Sequence, residues 1–473
     1  MKVKIGLEIH LQLATERKMY CDCPTNYQDV PPNTNVCPIC TGMPGSKPLP
    51  PNERVVDAAI EIALMLGCEV ITDKTVYIQR KHYDYPDLPS GYQRTSLPIA
   101  LGGELQRVRI REVHLEEDPG QYDPVAGAVD YNRSGIPLVE IVTEPDIRSP
   151  EEARKFLRTL TRVLEYTGKV RPEAGGAMRA DVNISLEGGG RVEIKNINSV
   201  KGAYRALKFE ILRQREKLKR GEVVVRETRA YLESQMTTVP MRGKELEEDY
   251  RYIPDPDIFP LILDKARVET VKKKMVEAPH LREQRLVKQY RISPAAAGVI
   301  VSERELADLF EAVAKEVDPK LAATWFQTKL KKVLNYTKLR AADIKFTPNQ
   351  LARLLQMVGR KQVTPEQGEL VLRELVKEPA EPEELLRKLG LAPLERAELE
   401  AAVAKTLEEN PKAVEDYLKG RKEALNFLAG KVMKLTQGRA DPRIITKLLR
   451  AKLRGKRKRK ISRRKARSRV SRA

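Results

Sequence analysis

Val3-Lys4-Ile5-Gly6-Leu7-Glu8-Ile9-His10-Leu11-Gln12-Leu13 alternates apolar residues with others along its whole length. That period is the period of an extended strand, so Val3, Ile5, Leu7, Ile9, Leu11 and Leu13 share one face, and Glu8, His10 and Gln12 share the other. A strand that buries one face and carries carboxylate and imidazole on the other belongs to a sheet covered mainly on one side. Met178 to Leu186 reads the same way: Met178, Ala180, Val182, Ile184 and Leu186 turn Asp181, Asn183 and Ser185 outward together. A Gly188-Gly189-Gly190 turn follows, and Val192 and Ile194 then leave Glu193 and Lys195 on one side of a hairpin partner. His114-Leu115-Glu116-Glu117-Asp118 packs similar donors into consecutive positions. On any single strand a polar face is ordinary solvated surface. Repeated clusters of carboxylates repel one another unless a cation lies between them, and hard oxygen ligands suit Mg2+ or Mn2+, so the set together points to a metal-assisted active site.

The chain has 473 residues, enough for roughly three domains. Its net charge of +21 is unevenly placed, because thirteen of the Lys and Arg lie between Ala451 and Ala473, where there is no Asp or Glu. A moderately basic body with an extremely basic tail calls for a polyanionic partner, and nucleic acid fits both, since phosphate contacts made by Lys and Arg release counterions. No apolar run approaches membrane-spanning length, and Met1-Lys2-Val3-Lys4 leads straight into the first strand, so a cytoplasmic location and no membrane partner are expected. Cysteines in such a setting are rarely disulfides. Cys21-x-Cys23 and Cys37-x-x-Cys40 are two chelating pairs separated by thirteen residues, which fits a closed, structural Zn2+ site of four thiolates. Cys68, beside Gly67 at a helix end, reads as a small buried hydrophobe.

Residues 1 to about 290 mix short strands with a few helices, and the rest of the chain reads as helix. Asn52 to Gly67 is an apolar helix that stops at a glycine. Ser149-Pro150-Glu151-Glu152 opens a second with a capping box and proline at its first position, and a third, heavily charged, runs from about Gly202 to Arg220. Polar faces contributed by strands far apart in sequence imply an α+β domain with a mainly antiparallel sheet. Further on, Ser293-Pro294 and Thr347-Pro348 look like helix starts, and Glu378-Pro379-Ala380-Glu381-Pro382 looks like a break. We therefore expect a catalytic domain at 1–290, a helical linker domain at 291–400 and a helical tail domain at 401–454, the helical part being suited to recognition more than catalysis. The basic extension 455–473 is too poor in apolar residues to fold alone.

There is no Gly-x-x-x-x-Gly-Lys-Ser/Thr loop and no Gly-x-Ser-x-Gly nucleophile motif. The residues alone therefore lead as far as metal-dependent phosphoryl transfer, or chemistry close to it, in a nucleic-acid-binding protein. The motifs that carry this chemistry also resemble a known family. Gly6-Leu7-Glu8-Ile9-His10, Tyr85-Pro86-Asp87-Leu88-Pro89-Ser90-Gly91-Tyr92-Gln93, His114-Leu115-Glu116-Glu117-Asp118, Asp130-Tyr131-Asn132-Arg133 and Met178-Arg179-Ala180-Asp181-Val182-Asn183-Ile184-Ser185 are similar to the B subunits of the tRNA-dependent aspartyl/glutamyl-tRNA(Asn/Gln) amidotransferases. So are Glu193-Ile194-Lys195-Asn196-Ile197-Asn198-Ser199, Asp249-Tyr250-Arg251-Tyr252, Asn410-Pro411-Lys412-Ala413-Val414 and Gly430-Lys431-Val432-Met433-Lys434. The resemblance runs to about Leu453. Ala180 stands where cysteine is common and Gly243 where serine is common, and the basic extension after Leu453 is not typical of the family.

The resemblance implies a catalytic cradle domain similar to the glutamine synthetase fold and a tail domain that binds tRNA. It also implies a reaction in which ATP phosphorylates the side-chain carboxylate of Glu or Asp misacylated on tRNA(Gln) or tRNA(Asn), and ammonia then displaces the phosphate. By position it implies metal ligation by Glu8, His10, Glu116, Glu117, Asp181 and Glu193, with Glu8, His10, Glu116 and Glu117 serving the chemistry through Mg2+. Lys81, Arg133 and Arg251 are candidates for holding ATP phosphates or the tRNA acceptor end, and each also reads as a plain surface cation. Ammonia would come from the amidase (the A subunit of a heterotrimer), braced by the small C subunit, and a misacylating synthetase is a further candidate partner. A family relative restricted to Glu-tRNA carries an inserted domain for which this chain has no room. A reading from another class, a noncatalytic zinc-containing tRNA-binding protein with solvated acidic faces, is separated from the enzyme by ATP turnover on misacylated tRNA.

Overall fold

A computed structural model describes residues 1–170, 178–241, 250–391, 396–436, 440 and 442–454. The basic extension 455–473 and the motif residues Gly243 and Asp249 lie outside the described residues. The chain divides into one compact unit, Met1–Leu281, and a second that begins at Arg282. Among the described residues no helix is long and apolar enough to cross a membrane.

The first unit is built on β1 (Val3–Gln12), β2 (Glu69–Val70), β3 (Ile78–His82), β4 (Tyr92–Ser96), β5 (Ala100–Leu101), β6 (Glu104–Leu105), β7 (Val108–Glu117), β8 (Gln121–Asp123), β9 (Ala128–Asp130), β10 (Pro137–Thr143), β11 (Met178–Leu186), β12 (Val192–Ile197), β13 (Glu227–Leu232), β14 (Thr237–Pro240) and β15 (Ile253–Pro254). Thirteen of these described strands form one sheet, whose main path runs β14-β13-β12-β11-β1-β10-β7-β4-β3-β15, while β8 and β9 pair separately. Among the described pairings, only β12 with β13 is parallel. The fold is therefore α+β with a mainly antiparallel sheet, as the alternation predicts.

The alternation works by burial. Ile5, Leu7, Ile9 and Leu11 of β1, Val182 and Ile184 of β11 and Val113 and Leu115 of β7 enter one apolar core together with residues of α1 (Glu53–Met65), α2 (Pro150–Thr167) and α3 (Val200–Lys219). Each such side chain contributes roughly 1.5–3 kcal/mol by leaving water, so a one-residue slip of β1 would reverse every side chain and forfeit the whole set. Helix starts follow local capping. Asn52 accepts from the Arg54 N–H and Ser199 from the Gly202 N–H, so α3 begins two residues before the position expected from its apolar pattern. Ser149 accepts from the Glu152 N–H. The full capping box expected there does not form, because the Glu152 carboxylate accepts instead from the Arg148 N–H at 2.7 Å, one residue before the cap. The glycine turn leads from β11 into its antiparallel partner β12. Gly190 lies so close to a neighbouring segment that a Cβ there would fall 2.7 Å from the Val224 carbonyl oxygen.

In the second unit the helices Pro294–Ile300 and Pro348–Gly359 start at the capped Ser293 and Thr347. The break falls between helices Pro365–Lys377 and Pro382–Lys388. Leu399, Val403, Leu407, Leu428, Val432, Ile445 and Leu449 bury a further apolar cluster. Glu369 is a polar hub: Lys329 and Lys332 donate to it at 2.6 and 3.0 Å and Arg373 at 2.8 Å. These three cations, led by Lys329, hold its carboxyl down at about 2. Because the folded value lies below the unfolded one, the stabilisation is complete above the ordinary carboxylate range and is lost as pH falls toward 2. Glu369→Gln should destabilise this helical unit by roughly 2 kcal/mol at pH 7. Hydrogen exchange of the Pro365–Lys377 amides at pH 7 and pH 3 checks this, the difference between variant and parent shrinking at the lower pH; equal protection at pH 7 would contradict it.

Candidate active site and cysteine centre

The face of the sheet opposite the helices carries Glu8, His10 and their charged neighbours, and the strand register decides which of them meet. β1 lies between β10 and β11, with His10 opposite Glu140 on one side and Arg179 on the other, and Glu8 opposite Asp181. Glu140 is in turn opposite His114 of β7, Glu116 opposite Thr95 of β4, Gln93 opposite Lys81 of β3, and Asn183 opposite Glu193 of β12. Directly paired residues share a face, so this register draws a continuous polar strip from β3 to β12.

Two ligand-like groups stand on the strip. In the first, the His10 Nε2 lies 3.2 Å from a Glu116 oxygen and 3.5 Å from a Glu140 oxygen. In the second, Glu8, Asp181 and Glu193 bring one oxygen each within 4.8 Å of one another. Lys195 Nζ lies 2.9 Å from both Asp181 and Glu193, and Asn183 donates to Glu8 at 2.8 Å. The electrostatics of the two groups are strongly coupled to burial and to their neighbours. Burial alone would lower the His10 pKa, but the hydrogen bond to Glu116 and the charge of Glu140 lift it to about 9. Glu116 is driven to about 2 against its burial by His10 and Lys81, while Glu140 is pushed up to about 7 by burial and by Glu116 beside it. Burial, Asp181 and Glu193 raise Glu8. A divalent cation, taking the place of the proton on His10, would relieve the crowding of Glu8 and Glu140, and one imidazole with several carboxylates is a fitting donor set for Mg2+ or Mn2+. Both groups border a cavity of about 460 Å³ that His10, Glu116, Asp181, Lys81, Lys195 and Arg179 help to line.

The structure brings Glu8, Asp181 and Glu193 together, and His10 with Glu116. Glu117 belongs to neither group. Gln93 and Thr95 of β4 face Glu116, whereas the intervening Arg94 points the other way, donating to Glu117 at 3.2 Å and to Asp255 at 2.8 Å. Of the three proposed phosphate holders, Lys81 lines the cavity. Arg133 is engaged with the Pro119 and Gly120 carbonyls. Arg251 is exposed, and its carbonyl faces the His82 ring at 3.0 Å. Sequence reasoning missed Glu140, the lone charge in the apolar run Pro137 to Thr143, and Arg179, and it did not take Lys195 into the site. A charged residue within an apolar strand was the available signal for Glu140; its facing partner is set by register.

Asp118 anchors the end of the strip. Buried, it accepts from Gln12 at 2.8 Å and from Arg179, with Arg133 at 3.8 Å. This also explains why Gln12 is buried rather than facing solvent.

The four clustered cysteines bring their sulfurs within 4.8 Å of one another, and they are free thiols, as is the buried Cys68. The Cys37 N–H donates to Cys40 Sγ at 3.2 Å. The fully buried Lys18 approaches the same sulfur at 3.5 Å while donating to the Asn35 and Tyr131 carbonyls. The Cys21 thiol hydrogen bond, with help from Lys18, brings Cys40 down to about 5, and in turn Cys21 is pushed up. The donor set fits a tetrahedral metal. Asn132 braces the loop, accepting from the Asn35 N–H at 2.7 Å and donating to the Pro31 carbonyl at 2.8 Å.

Comparison with known proteins gives a consistent picture. Residues 3–269 match the model of the GatB/GatE catalytic domain, and residues 308–453 match that of the GatB domain. The B subunit of the aspartyl/glutamyl-tRNA(Asn/Gln) amidotransferase of Methanobrevibacter smithii is 55% identical over 445 residues, 94% of this chain and 98% of that protein. Its namesake from Methanothermobacter thermautotrophicus is 54% identical over 452 residues, 95% of this chain and 100% of that protein. The corresponding B subunit from Methanopyrus kandleri is 52% identical over 456 residues, 95% of this chain and 98% of its own length.

Removing the Asp118 carboxylate would strand buried donors. Asp118→Ala should lower the stability of the first unit by roughly 2–3 kcal/mol, and Asp118→Asn by less. Urea unfolding followed by far-ultraviolet circular dichroism measures both, and an alanine variant as stable as the parent would refute the anchoring role.

Proposed function

The chain belongs to the GatB/GatE family, the B subunits of tRNA-dependent amidotransferases, and on that premise we propose that the strip and its cavity amidate an amino acid while it is attached to tRNA. A free carboxylate is a poor acyl donor, so one oxygen of the Glu or Asp side chain attacks the terminal phosphorus of ATP and ADP departs. Ammonia then bonds to the carbonyl carbon of the acyl phosphate, phosphate leaves with the bonding electrons, and the nitrogen sheds a proton to give the amide. The observation that carries this reading is the pair of donor groups, His10-Glu116-Glu140 and Glu8-Asp181-Glu193, side by side with Lys81, Lys195 and Arg179 around one cavity. When bound, a divalent cation of the Mg2+ class neutralises charge on the transferring phosphoryl group. The three basic side chains suit the anionic phosphates, Arg179 by its planar fork and the lysines as point charges.

The names of the relatives cover both Asn and Gln tRNAs, so Glu-tRNA(Gln), Asp-tRNA(Asn) or both are taken according to which misacylated tRNA is supplied. The chain has no amidase nucleophile motif, which supports ammonia delivery from a partner amidase, the A subunit, with the small C subunit completing the assembly. The net charge of +21 suits a tRNA substrate, with the helical unit and basic extension as its grip. Free rather than disulfide-linked cysteines suit a reducing cytoplasm. No observation favours a noncatalytic binding protein.

An assay that supplies ammonia directly, with misacylated tRNA, ATP and Mg2+, isolates this chemistry. Glu116→Gln and Glu140→Gln should each reduce ADP and amidated tRNA about a hundredfold or more. Glu117→Gln should keep more activity, because its carboxylate serves Arg94. Near-normal turnover by the first two, or a folded Glu117→Gln as inactive as they are, would overturn the assignment.

We assign the four cysteines to one structural Zn2+, with Lys18 offsetting the charge of the thiolates. Lys18→Met should weaken the metal roughly tenfold or more in chelator competition, Lys18→Arg less, and Co2+ substituted for Zn2+ should show thiolate charge-transfer absorption that Cys37→Ser abolishes. Protein that binds no stoichiometric metal, or a Lys18→Met variant that binds it as tightly as the parent, would contradict the assignment.

A further inference from the structure

At the mouth of the cavity stands a chain of tyrosines that the chemistry above leaves unused. Tyr85 and Tyr83 meet edge to face at 5.9 Å, Tyr83 and Tyr250 at 5.9 Å, and Tyr250 and Tyr252 at 6.1 Å. Two Tyr-x-Tyr pairs far apart in sequence thus meet in a protein that has only one Trp and seven Phe. The outer rings are open, Tyr85 at 52% and Tyr252 at 38% exposure, whereas Tyr83, Tyr85 and Tyr250 also line the cavity.

The inner part of the chain is fixed to the reacting groups. The Tyr83 hydroxyl donates to Gln93 at 2.9 Å, and Gln93 donates to Glu116 at 3.3 Å. The Lys81 ammonium lies 4.8 Å from the centre of the Tyr250 ring, and Glu116 is among the charges that keep it protonated. The exposed outer rings offer aromatic surface on which any nucleobase has a face to stack, while a cation beside the inner rings suits the adjoining phosphate.

We propose that these tyrosines are the stacking platform for the unpaired terminal adenosine of the aminoacyl-tRNA. The inference rests on the amidation reading and names the subsite it requires. The amino acid is esterified to the ribose of that terminal nucleoside, so a side-chain carboxylate beside His10 and Glu116 holds the ribose within the reach of its own short carbon chain, at the cavity mouth. The adenine of ATP is separated from its reacting phosphorus by the whole triphosphate and is not tied to the mouth in this way. Exposed rings also suit the end of a macromolecule arriving from solvent.

The test uses the assembled amidotransferase and two uncharged tRNAs, one intact and one lacking the terminal adenosine. The parent should bind the intact tRNA roughly ten times more tightly. Tyr85→Ala and Tyr252→Ala should each lose most of that preference, Tyr85→Phe should retain it because stacking needs the ring and not the hydroxyl, and the KM for ATP should change less than about twofold in all three. An alanine variant that keeps the preference, or a phenylalanine variant that loses it like alanine, overturns the proposal. So does a raised KM for ATP with the tRNA preference intact, which would give the platform to the nucleotide. If the parent amidates tRNA but shows no preference, the platform alone falls; if it forms neither ADP nor amidated tRNA, the amidation reading falls and takes the platform with it.

Discussion

The requirement that one face of the sheet be dry fixes β1, and β1 fixes the site. Its apolar residues enter the core shared with the helices, and burial on this scale outweighs the modest gain of any single surface ion pair. The register of β1 against β10 and β11 is therefore set on the helix side, and the residues on the other side have to accept the neighbours it delivers. His10 meets Glu140 and Arg179, and Glu8 meets Asp181. Alone, the acidic neighbours repel; the fold tolerates them because its stability is secured elsewhere.

That origin separates two kinds of buried acid in the same domain. Asp118 and Glu210 are fully engaged: Gln12 and Arg179 reach the first, and Arg213, Gln214 and Thr238 the second. Their carboxylates are satisfied by the protein itself and stay as structural acids. The acids of the strip instead crowd one another. Glu140 and Glu8 are raised by burial and by acidic neighbours, and Lys195 must serve both Asp181 and Glu193. Like charges gathered out of water are costly, and proteins keep them where function uses them. The contrast supports the proposed active face more sharply than the presence of carboxylates does.

Alternation made much of this legible in the sequence. The faces of β1, β11 and β12, the glycine turn between the last two, the helix starts at Ser293 and Thr347 and the pairing of Cys21-x-Cys23 with Cys37-x-x-Cys40 all depend on spacing within one segment. What spacing does not encode is which residue of a distant strand comes opposite. The motif presents Glu116 and Glu117 as a pair, yet alternation along β7 turns them to opposite faces, and β4 supplies Gln93 and Thr95 to the first and Arg94 to the second. Glu140 had no motif around it that sequence reading singled out, and entered the site only because β10 pairs with both β1 and β7. Arg133, in a family motif, reads as a phosphate holder but is engaged with the Pro119 and Gly120 carbonyls, because buried backbone oxygens need donors as much as ligands do. The Ser149 cap failed as a box for a smaller reason: Glu152 found the Arg148 N–H first.

The same polar contacts tie the cysteine loop to the reacting face. Gln12, at the end of β1, donates both to Asp118 and, at 3.0 Å, to Tyr27 of the loop. Lys18 joins Cys40 to the Tyr131 carbonyl, and the Ser134 hydroxyl donates to the Cys40 carbonyl at 2.8 Å. Asp118 in turn orients Arg179 at the cavity. A metal held by the four sulfurs would thus stiffen the segment that anchors the end of β1, two residues beyond His10, without touching substrate. Short loops with little apolar content depend on such staples for their rigidity, and a strand whose polar face must hold ligands to within fractions of an ångström gains from having its end fixed. The cysteine centre is in this sense part of the same construction as the proposed active face: with a metal bound, one set of donors would immobilise the strand that the other set uses.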